Sequence, residues 1–414
     1  MVNVWVPYQA KRNQPTTQCP FAMVSLWSDG FPALLPYCAR PSRSLASCQP
    51  PIPNGTMFAM SAEHGQQNST KIRVSVFGAG SLGKEHVRIY ADLAAAAQVE
   101  FVGIYDFVPE TAQRFAQQYQ VRAFSSPAEA ASASDAVSIV TPTATHFSLA
   151  KALLEQGRHV LVEKPMTDHA TQATELVELA QRKNCVLQVG HVERFNPVFN
   201  YLEAVATEPR FIEAHRLSPY PARSTDIGVV LDLMIHDLDV VLAFVKSPVQ
   251  SVDAVGIPVL SRSEDIANAR LRFANGCVAN LTASRVSPDR MRKIRVFSGG
   301  AITSYISLDY RAQEGFIYRI ARDDEEKSSL LKKLLRAKDS TIVSEFGGKR
   351  IVREPVPIAK EEPLRLELVH FIQCVQAQST PVVSGESAKR ALDLAFEITR
   401  QIQAAGVTLE QRKS

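Results

Sequence analysis

The sequence predicts an α/β chain. A doubly wound parallel sheet comes first, and an α+β domain on a large, mostly antiparallel open sheet follows. Three observations predict this. Short apolar runs alternate with helix-length segments between Lys71 and Phe195. The first run breaks into the turn Gly78-Ala79-Gly80-Ser81-Leu82-Gly83, and a helical pattern starts directly after it. Beyond Pro197, strand-like runs become more numerous and are less regularly separated by helices.

Taken in order, Arg73-Val74-Ser75-Val76-Phe77 is rich in β-branched and aromatic residues and is stopped by glycine, so it reads as the first strand. A helix follows over about 84–97, then a strand over Phe101–Tyr105 and a helix over about 109–119. Ala136–Val140 is the next strand, and the helix over about 145–155 stops at Gly157. Val160–Val162 and Val186–Val189 are further strands, with a helix over about 169–183 between them. These runs are almost continuously apolar, as strands covered on both faces are. Right-handed crossovers place helices on both sides of such a sheet. In the second domain, strands are expected at 211–217, 249–257, 267–273, 277–284, 293–298 and 301–307, with one helix over about 228–245. Two closing helices cover about 364–377 and 386–404. The expected organisation is an extension at 1–70, a first domain at 71–195 and a second at 196–405, with the closing helices able to pack back on the first.

Composition excludes several classes. Of 414 residues, 45% are hydrophobic and 21% charged, the profile of an ordinary globular protein. A net charge of +4 over such a length is too weak to argue for nucleic acid or an anionic membrane. No apolar run reaches the length of a membrane span. Cys19, Cys38, Cys48, Cys185, Cys277 and Cys374 form no CxxC pair and no zinc-like spacing, so no metal site and a reduced cytoplasmic setting are expected. Residues 1–70 hold nine of the 24 prolines but only Asp29 and Glu63 as acids, and read as a poorly structured extension. Met57 and Met60 stand just before the folded part as candidate starts. The charged stretch 322–338, with Leu330, Leu331, Leu334 and Leu335 on one side, reads as a solvated helix packed on its own domain.

The glycine turn has the form GxGxxG, a weak signal alone but here in the required strand–turn–helix context. Gly78 permits the tight turn, Gly80 lets the backbone approach a pyrophosphate, and Gly83 lets helix and strand pack closely. With Ala79, Ser81 and Leu82 they form the expected phosphate loop of a Rossmann dinucleotide site, at a helix N-terminus. Asp106 ends the second strand, 23 residues after Gly83, and is placed to accept from the adenosine ribose diol. A carboxylate there repels a 2′-phosphate, so NAD is expected over NADP. The alternative for Asp106 is a loop residue capping the next helix. His86 and Arg88, on the first helix, read as surface groups. Thr141-Pro142-Thr143 follows the next strand at its carboxyl end and is expected to border the nicotinamide ribose. His146, just beyond, is grouped with that cofactor loop, its ring read as structural rather than catalytic.

Glu163-Lys164-Pro165 lies at another strand's carboxyl end. A lysine there can hydrogen-bond a substrate hydroxyl and favour its alkoxide. Glu163 and Lys164 are also counted with the cofactor site. In the helix expected over 228–245, Asp232 and His236 are four residues apart and share a face. A carboxylate one turn from an imidazole can orient it for acid–base work. The flanking Val229, Val230, Leu231, Leu233, Met234 and Ile235 make a plain surface ion pair the poorer reading.

In combination these motifs, with the closing Pro381-Val382-Val383-Ser384-Gly385 segment, resemble the Gfo/Idh/MocA oxidoreductase family, which includes glucose–fructose oxidoreductase and inositol dehydrogenase. The resemblance covers about Lys71 to Ala404. It implies that Lys164 and His236 are catalytic, with Asp232 as supporting acid. It also implies a Lys-Pro peptide that is often cis, and an open sheet that commonly packs in homo-dimers or homo-tetramers. The segment Gly190-His191-Val192-Glu193-Arg194-Phe195-Asn196-Pro197 is similar to that of family members oxidising the sugar C3 hydroxyl of a UDP-N-acetylhexosamine. That reading puts His191, Arg194, Asn196 and Arg223 with Lys164, Asp232 and His236 around the substrate. Arg194, Arg216, Arg223 and Arg285 are its candidates for pairing with a diphosphate, with a solvated or interdomain ion pair the equal alternative for each. Two rivals stand beside it: an inositol or free-sugar dehydrogenase, and a non-catalytic dinucleotide-binding regulator. The second gains ground if Lys164, Asp232 and His236 fail to converge.

Overall fold

In the computed structural model of the chain, residues 71–220, 227–300, 303–321 and 341–411 are described. The first domain builds a six-stranded sheet from β1 (Arg73–Phe77), β2 (Glu100–Tyr105), β3 (Arg122–Ala123), β4 (Ala136–Ile139), β5 (His159–Glu163) and β6 (Leu187–Gly190). The order is β3-β2-β1-β4-β5-β6 and every pairing is parallel. The winding reverses between β1 and β4, and a crevice opens there at their carboxyl ends. All four residues of β4 are buried, as the continuous apolar run predicts.

The helices are α1 (Gly83–Ala95), α2 (Pro109–Tyr119), α3 (Pro127–Ala133), α4 (His146–Glu155), α5 (Ala170–Lys183) and α6 (Pro197–Val205). Elements β3, α3 and α6 go beyond the sequence-based expectation. β3 has only two residues, both exposed, and α3 is an Ala/Ser segment with no apolar period. The starts of α3 and α6 do carry signals. Ser126 accepts from the Glu129 N–H and Asn196 from the Val198 N–H, each with proline in the first turn.

The second domain contributes β7 (Pro209–Leu217), α7 (Ile235–Val245), β8 (Val249–Ile257), β9 (Ile266–Phe273), β10 (Val278–Ser284), β11 (Met291–Ser298), β12 (Ser304–Asp309), β13 (Glu314–Ile320), β14 (Thr341–Phe346) and β15 (Lys349–Pro355). They form a nine-stranded sheet in the order β14-β15-β13-β12-β11-β7-β10-β9-β8. Only β7 and β10 pair in parallel; the other pairings are antiparallel. On β9, Ala267, Ala269, Leu271 and Phe273 face the core while the alternate residues are exposed. The strand expected from 301 begins at Ser304, and β13 to β15 were not anticipated. The charged stretch 322–338 lies outside the described residues.

The helix expected over 228–245 is broken. Val230–Met234 form a π-helical turn, in which the Ile235 N–H reaches five residues back to the Val230 carbonyl, and only then does α7 begin. The closing helices α8 (Pro363–Ala377) and α9 (Gly385–Gln411) bind the domains together. Leu368, Phe371, Ile372, Cys374 and Val375 of α8 share one core with Val74, Val87, Tyr90 and Leu93 of the first domain. Ala388, Leu392 and Ile398 of α9 join the other core, which spans β6, α7 and the large sheet.

Candidate active site

The glycine turn stands between β1 and α1, above the crevice. Gly78 has φ +88°, and a Cβ there would lie 2.5 Å from the Val140 carbonyl oxygen. A Cβ on Gly83 would collide with the Gly78 carbonyl oxygen. At Gly80 it would meet nothing within 4 Å, and Gly80, Ser81 and Leu82 are exposed. The backbone is thus open only where a pyrophosphate would approach, so the turn fits a dinucleotide. Ala79 is a correction. Its N–H is occupied by Asp106 Oδ2 at 2.7 Å, because the carboxylate bridges back onto the turn. The other Asp106 oxygen accepts from the Val108 N–H at 2.9 Å, at the start of α2.

Thr141, Pro142 and Thr143 lie at the end of β4, and Thr145 ties this loop together through Thr141 Oγ1 at 2.7 Å. His146 does not face a cofactor. It is 1% exposed, with Nδ1 2.9 Å from the Pro165 carbonyl and Nε2 2.8 Å from that of Thr141. It buttons the two loops that flank the crevice. Burial pulls its pKa down, against the two carbonyls.

Glu163 also turns inward, correcting its assignment to the cofactor. Its carboxylate is 3.3 Å from His86 Nε2 and accepts the Lys164 N–H at 3.3 Å. His86 is wholly buried rather than on the helix surface, its ring turned toward the Glu163 carboxylate at the end of β5. Arg88 is the surface group expected, paired with Glu85 and Glu362. The Lys164–Pro165 peptide is cis.

Lys164 Nζ donates to the Asp232 carbonyl at 2.7 Å and lies 3.4 Å from Asp232 Oδ1. Asp232 therefore serves Lys164 and not His236. Among the described residues, no hydrogen bond or ion pair joins Asp232 to His236. His236 sits partly exposed at the start of α7, its Nδ1 without a hydrogen-bond partner among the described residues. Burial first, and then the charges of Lys164 and Arg216, hold its pKa well below the usual histidine range. His191, 1% exposed, packs edge-on against it at 6.0 Å between ring centres. Lys164, Asp232, His236 and His191 are thus brought together from both domains.

The arginines expected at a diphosphate are otherwise engaged. Arg216 is fork-bonded to Asp237 at 2.9 Å and reaches Glu193 at 3.0 Å. Arg285 is fully buried on Asp265 and the Ile227 carbonyl. Arg194 pairs with Asp239 at 3.6 Å and lies over the Phe199 ring. Asn196 caps α6 and donates to Glu193 and the Tyr310 carbonyl, which leaves its amide nothing for a substrate. Buried charges need such partners, and Arg216 and Arg285 found them within the protein, whereas Arg194 Nε and Nη1 have no hydrogen-bond partner among the described residues. Arg223 lies outside the described residues.

Arg292 was missed. It stands opposite Arg216 across the β7–β11 pairing, on the same sheet face. Its side chain is 53% exposed and 3.7 Å from Glu193, and its charge reaches His236. Burial first, then the neighbouring Arg216, lower its own pKa. Its one sequence signal is the alternation Arg292, Ile294, Val296, which places it on the inward face.

Residues 72–191 match the GFO/IDH/MocA oxidoreductase family with an NAD-binding Rossmann fold, and residues 205–301 match a C-terminal domain of the same family. The UDP-N-acetylglucosamine 3-dehydrogenase of Acidithiobacillus ferrooxidans is 34% identical over 334 residues, 80% of this chain and 98% of that protein. Its solved structure superposes with a TM-score of 0.69, at 33% identity, over 80% of this chain and 98% of that one. The NAD-dependent scyllo-inositol 2-dehydrogenase of Bacillus subtilis is 25% identical over 80% of this chain and 94% of its own. GenD2 of gentamicin A biosynthesis, solved with NAD, shares the fold at 18% identity, with a TM-score of 0.63, over 82% of this chain and 96% of that one.

Proposed function

The chain belongs to the GFO/IDH/MocA oxidoreductase family, and on that premise we propose that it oxidises a secondary hydroxyl of a nucleotide-linked sugar with NAD. The C3 hydroxyl of a UDP-N-acetylhexosamine is the expected position. The observation that carries this reading is the meeting of Lys164, from the first domain, with Asp232 beside His236, from the second. A non-catalytic regulator has no need of that convergence.

In this reading His236, kept neutral by its surroundings, takes the proton of the substrate hydroxyl. Lys164, anchored on Asp232, donates a hydrogen bond to the same oxygen and steadies its growing negative charge. Bound NAD supplies the hydride acceptor. With NAD bound, the substrate carbon would give up its hydride and become a carbonyl, the proton remaining on His236. The Gly78–Gly83 turn holds the pyrophosphate, Thr141, Pro142 and Thr143 border the nicotinamide ribose, and Asp106 selects against a 2′-phosphate. His191 backs His236. Arg292, on the exposed side of the site, is the cation proposed here to meet a substrate diphosphate.

Two further readings go with it. The large sheet carries an aromatic row across four strands, Phe211, Phe297, Tyr305 and Tyr318, with ring centres 6.4, 4.6 and 5.6 Å apart. Phe297 is 45% exposed, and this face suits a homo-oligomer contact. The buried free thiols Cys277 and Cys374 suit a reducing, cytoplasmic setting.

The experiment is a screen of UDP-sugars, free sugars and inositols for NADH formation. Turnover of a UDP-N-acetylhexosamine supports the proposal. Turnover confined to inositols or free sugars overturns the nucleotide-sugar assignment and favours the rival that the Bacillus subtilis relative represents. NAD binding with no turnover of any substrate favours the regulator.

A further inference from the structure

Beneath Lys164 lies a group of buried acids that the reaction above does not use. Glu163, Glu367 and Asp239 are 7%, 0% and 1% exposed. They come from β5, α8 and α7, so three separate elements converge on this point. Glu163 fits because Gly190 leaves room for it: a Cβ there would stand 2.6 Å from Glu163 Oε1. Its oxygens meet His86 Nε2 and the Lys164 N–H, both at 3.3 Å. Asp239 meets Arg194 at 3.6 Å through one oxygen, and its other oxygen has no hydrogen-bond partner. Neither carboxyl oxygen of Glu367 has a partner among the described residues.

The surrounding groups do not balance this charge. On α1 stand His86 and Tyr90, whose hydroxyl bonds Ser138 at 2.9 Å. Gln188 of β6 donates its amide to the Glu367 backbone carbonyl at 3.2 Å, and not to the carboxyl. His370, on α8 itself, accepts the Val382 N–H. Arg194 is the one guanidinium in this group, and it faces Asp239. Arg194 faces Asp239, His86 faces Glu163, and His191 and the Lys164 ammonium stand near both acids, but no cation is paired with the wholly buried Glu367; a carboxyl buried without one keeps its proton. Glu367 has the deepest burial and no cation. Burial, then the charges of Glu163 and Asp239, raise its pKa well above the usual carboxyl range.

We propose that Glu367 is a neutral, proton-bearing acid, and that by sparing the nearby Glu163 a further buried negative charge it preserves the contact of Glu163 with the Lys164 N–H. It is a positioning residue, acting through Glu163 on the lysine. This last step rests on the catalytic role proposed for Lys164; the protonation itself does not.

The experiment compares full-length wild type, Glu367→Gln and Glu367→Ala. Infrared spectra at pH 7 in D2O should show a protonated carboxyl band in the wild type that E367Q lacks. Thermal unfolding from pH 5 to pH 8 supplies the second readout. The folded acid holds a proton that the unfolded one releases above about pH 4.3, so wild-type stability falls as pH rises toward the raised folded value. Glutamine has no such proton, and the melting temperature of E367Q relative to wild type should therefore climb with pH. In turnover, E367A should lose about tenfold to a hundredfold in kcat at little change in KM, and E367Q should restore it to within about threefold. Absence of the band in wild type, its survival in E367Q, or a melting difference indifferent to pH overturns the neutral acid, whether or not E367A folds. A kcat that E367Q fails to restore overturns the positioning role. If no sugar is turned over, the spectroscopic and unfolding arms still decide the protonation on their own.

Discussion

Lys164 grips the backbone carbonyl of Asp232 at 2.7 Å, while its distance to the carboxylate is 3.4 Å. The stronger contact therefore survives a change of the Asp232 side chain. Asp232→Asn should lower kcat/KM only about tenfold, whereas Lys164→Ala should lower kcat by about 10²–10⁴ with the dissociation constant for NAD little changed. Steady-state kinetics and NAD titration check both. Equal losses in the two variants would mean that the carboxylate, rather than the carbonyl, sets the lysine.

In the proposed reaction His236 acts as a base in its neutral form. Its lowered pKa moves the acid limb of kcat/KM to lower pH, so the midpoint should fall below the ordinary ~6.5. His236→Ala should remove that limb together with at least a hundredfold in turnover. A limb at or above the ordinary value, measured with saturating NAD, would contradict the assignment.

Arg292→Ala should raise KM for a UDP-sugar about tenfold to a hundredfold, the worth of a charge-assisted hydrogen bond. Free sugars, which carry no diphosphate, should be indifferent to it. The comparison needs both substrates on the same enzyme. A uniform loss on the two classes would place Arg292 elsewhere than at the diphosphate.

Gly80→Ala and Gly83→Ala should part company. A methyl group on Gly80 meets nothing within 4 Å, so the melting temperature should hold while NAD affinity falls. On Gly83 it collides with the Gly78 carbonyl oxygen, so stability itself should drop by about 1–3 kcal/mol. Calorimetry with and without NAD separates the two effects.

Acid should unfold the protein early. Burial is the first cause of lowered pKa at His146, His159, His191, His215, His236 and His370. The unfolded chain takes up these protons near pH 6.5, and the folded chain does so only lower. The stability they contribute is therefore present above about 6.5 and lost as pH falls. The melting temperature should decline between pH 7 and pH 5, opposite in direction to the contribution of Glu367. A flat profile over that range would refute it.

The helix-strand alternation of the first domain was legible because β1, β4, β5 and β6 are covered on both faces, and α2 begins and ends where its pattern does. Elements without a period, such as Arg122–Ala123 and the alanine-rich α3, left no such trace. In the site, the glycines, Lys164 and His236 could be read from local motifs. What escaped was set by partners distant in sequence. Asp232 met Lys164, which the first domain supplies. Arg216 and Asn196 were claimed by Glu193 and their neighbours, and Arg292 stands in the site by sheet register with Arg216. No local pattern records that Glu367 will lie under Glu163, since the two are joined only when α8 docks.

That docking bears on how the chain is made. Val74, Val87, Tyr90 and Leu93 leave the ribosome well before the surface that covers them, Leu368, Phe371, Ile372 and Val375. For most of translation the nucleotide-binding half carries a bare apolar flank, the condition in which nascent chains need chaperone protection. A gene cut at the boundary near residue 195 should accordingly yield an aggregating product, while joining residues 363–377 back to that fragment should recover a soluble one.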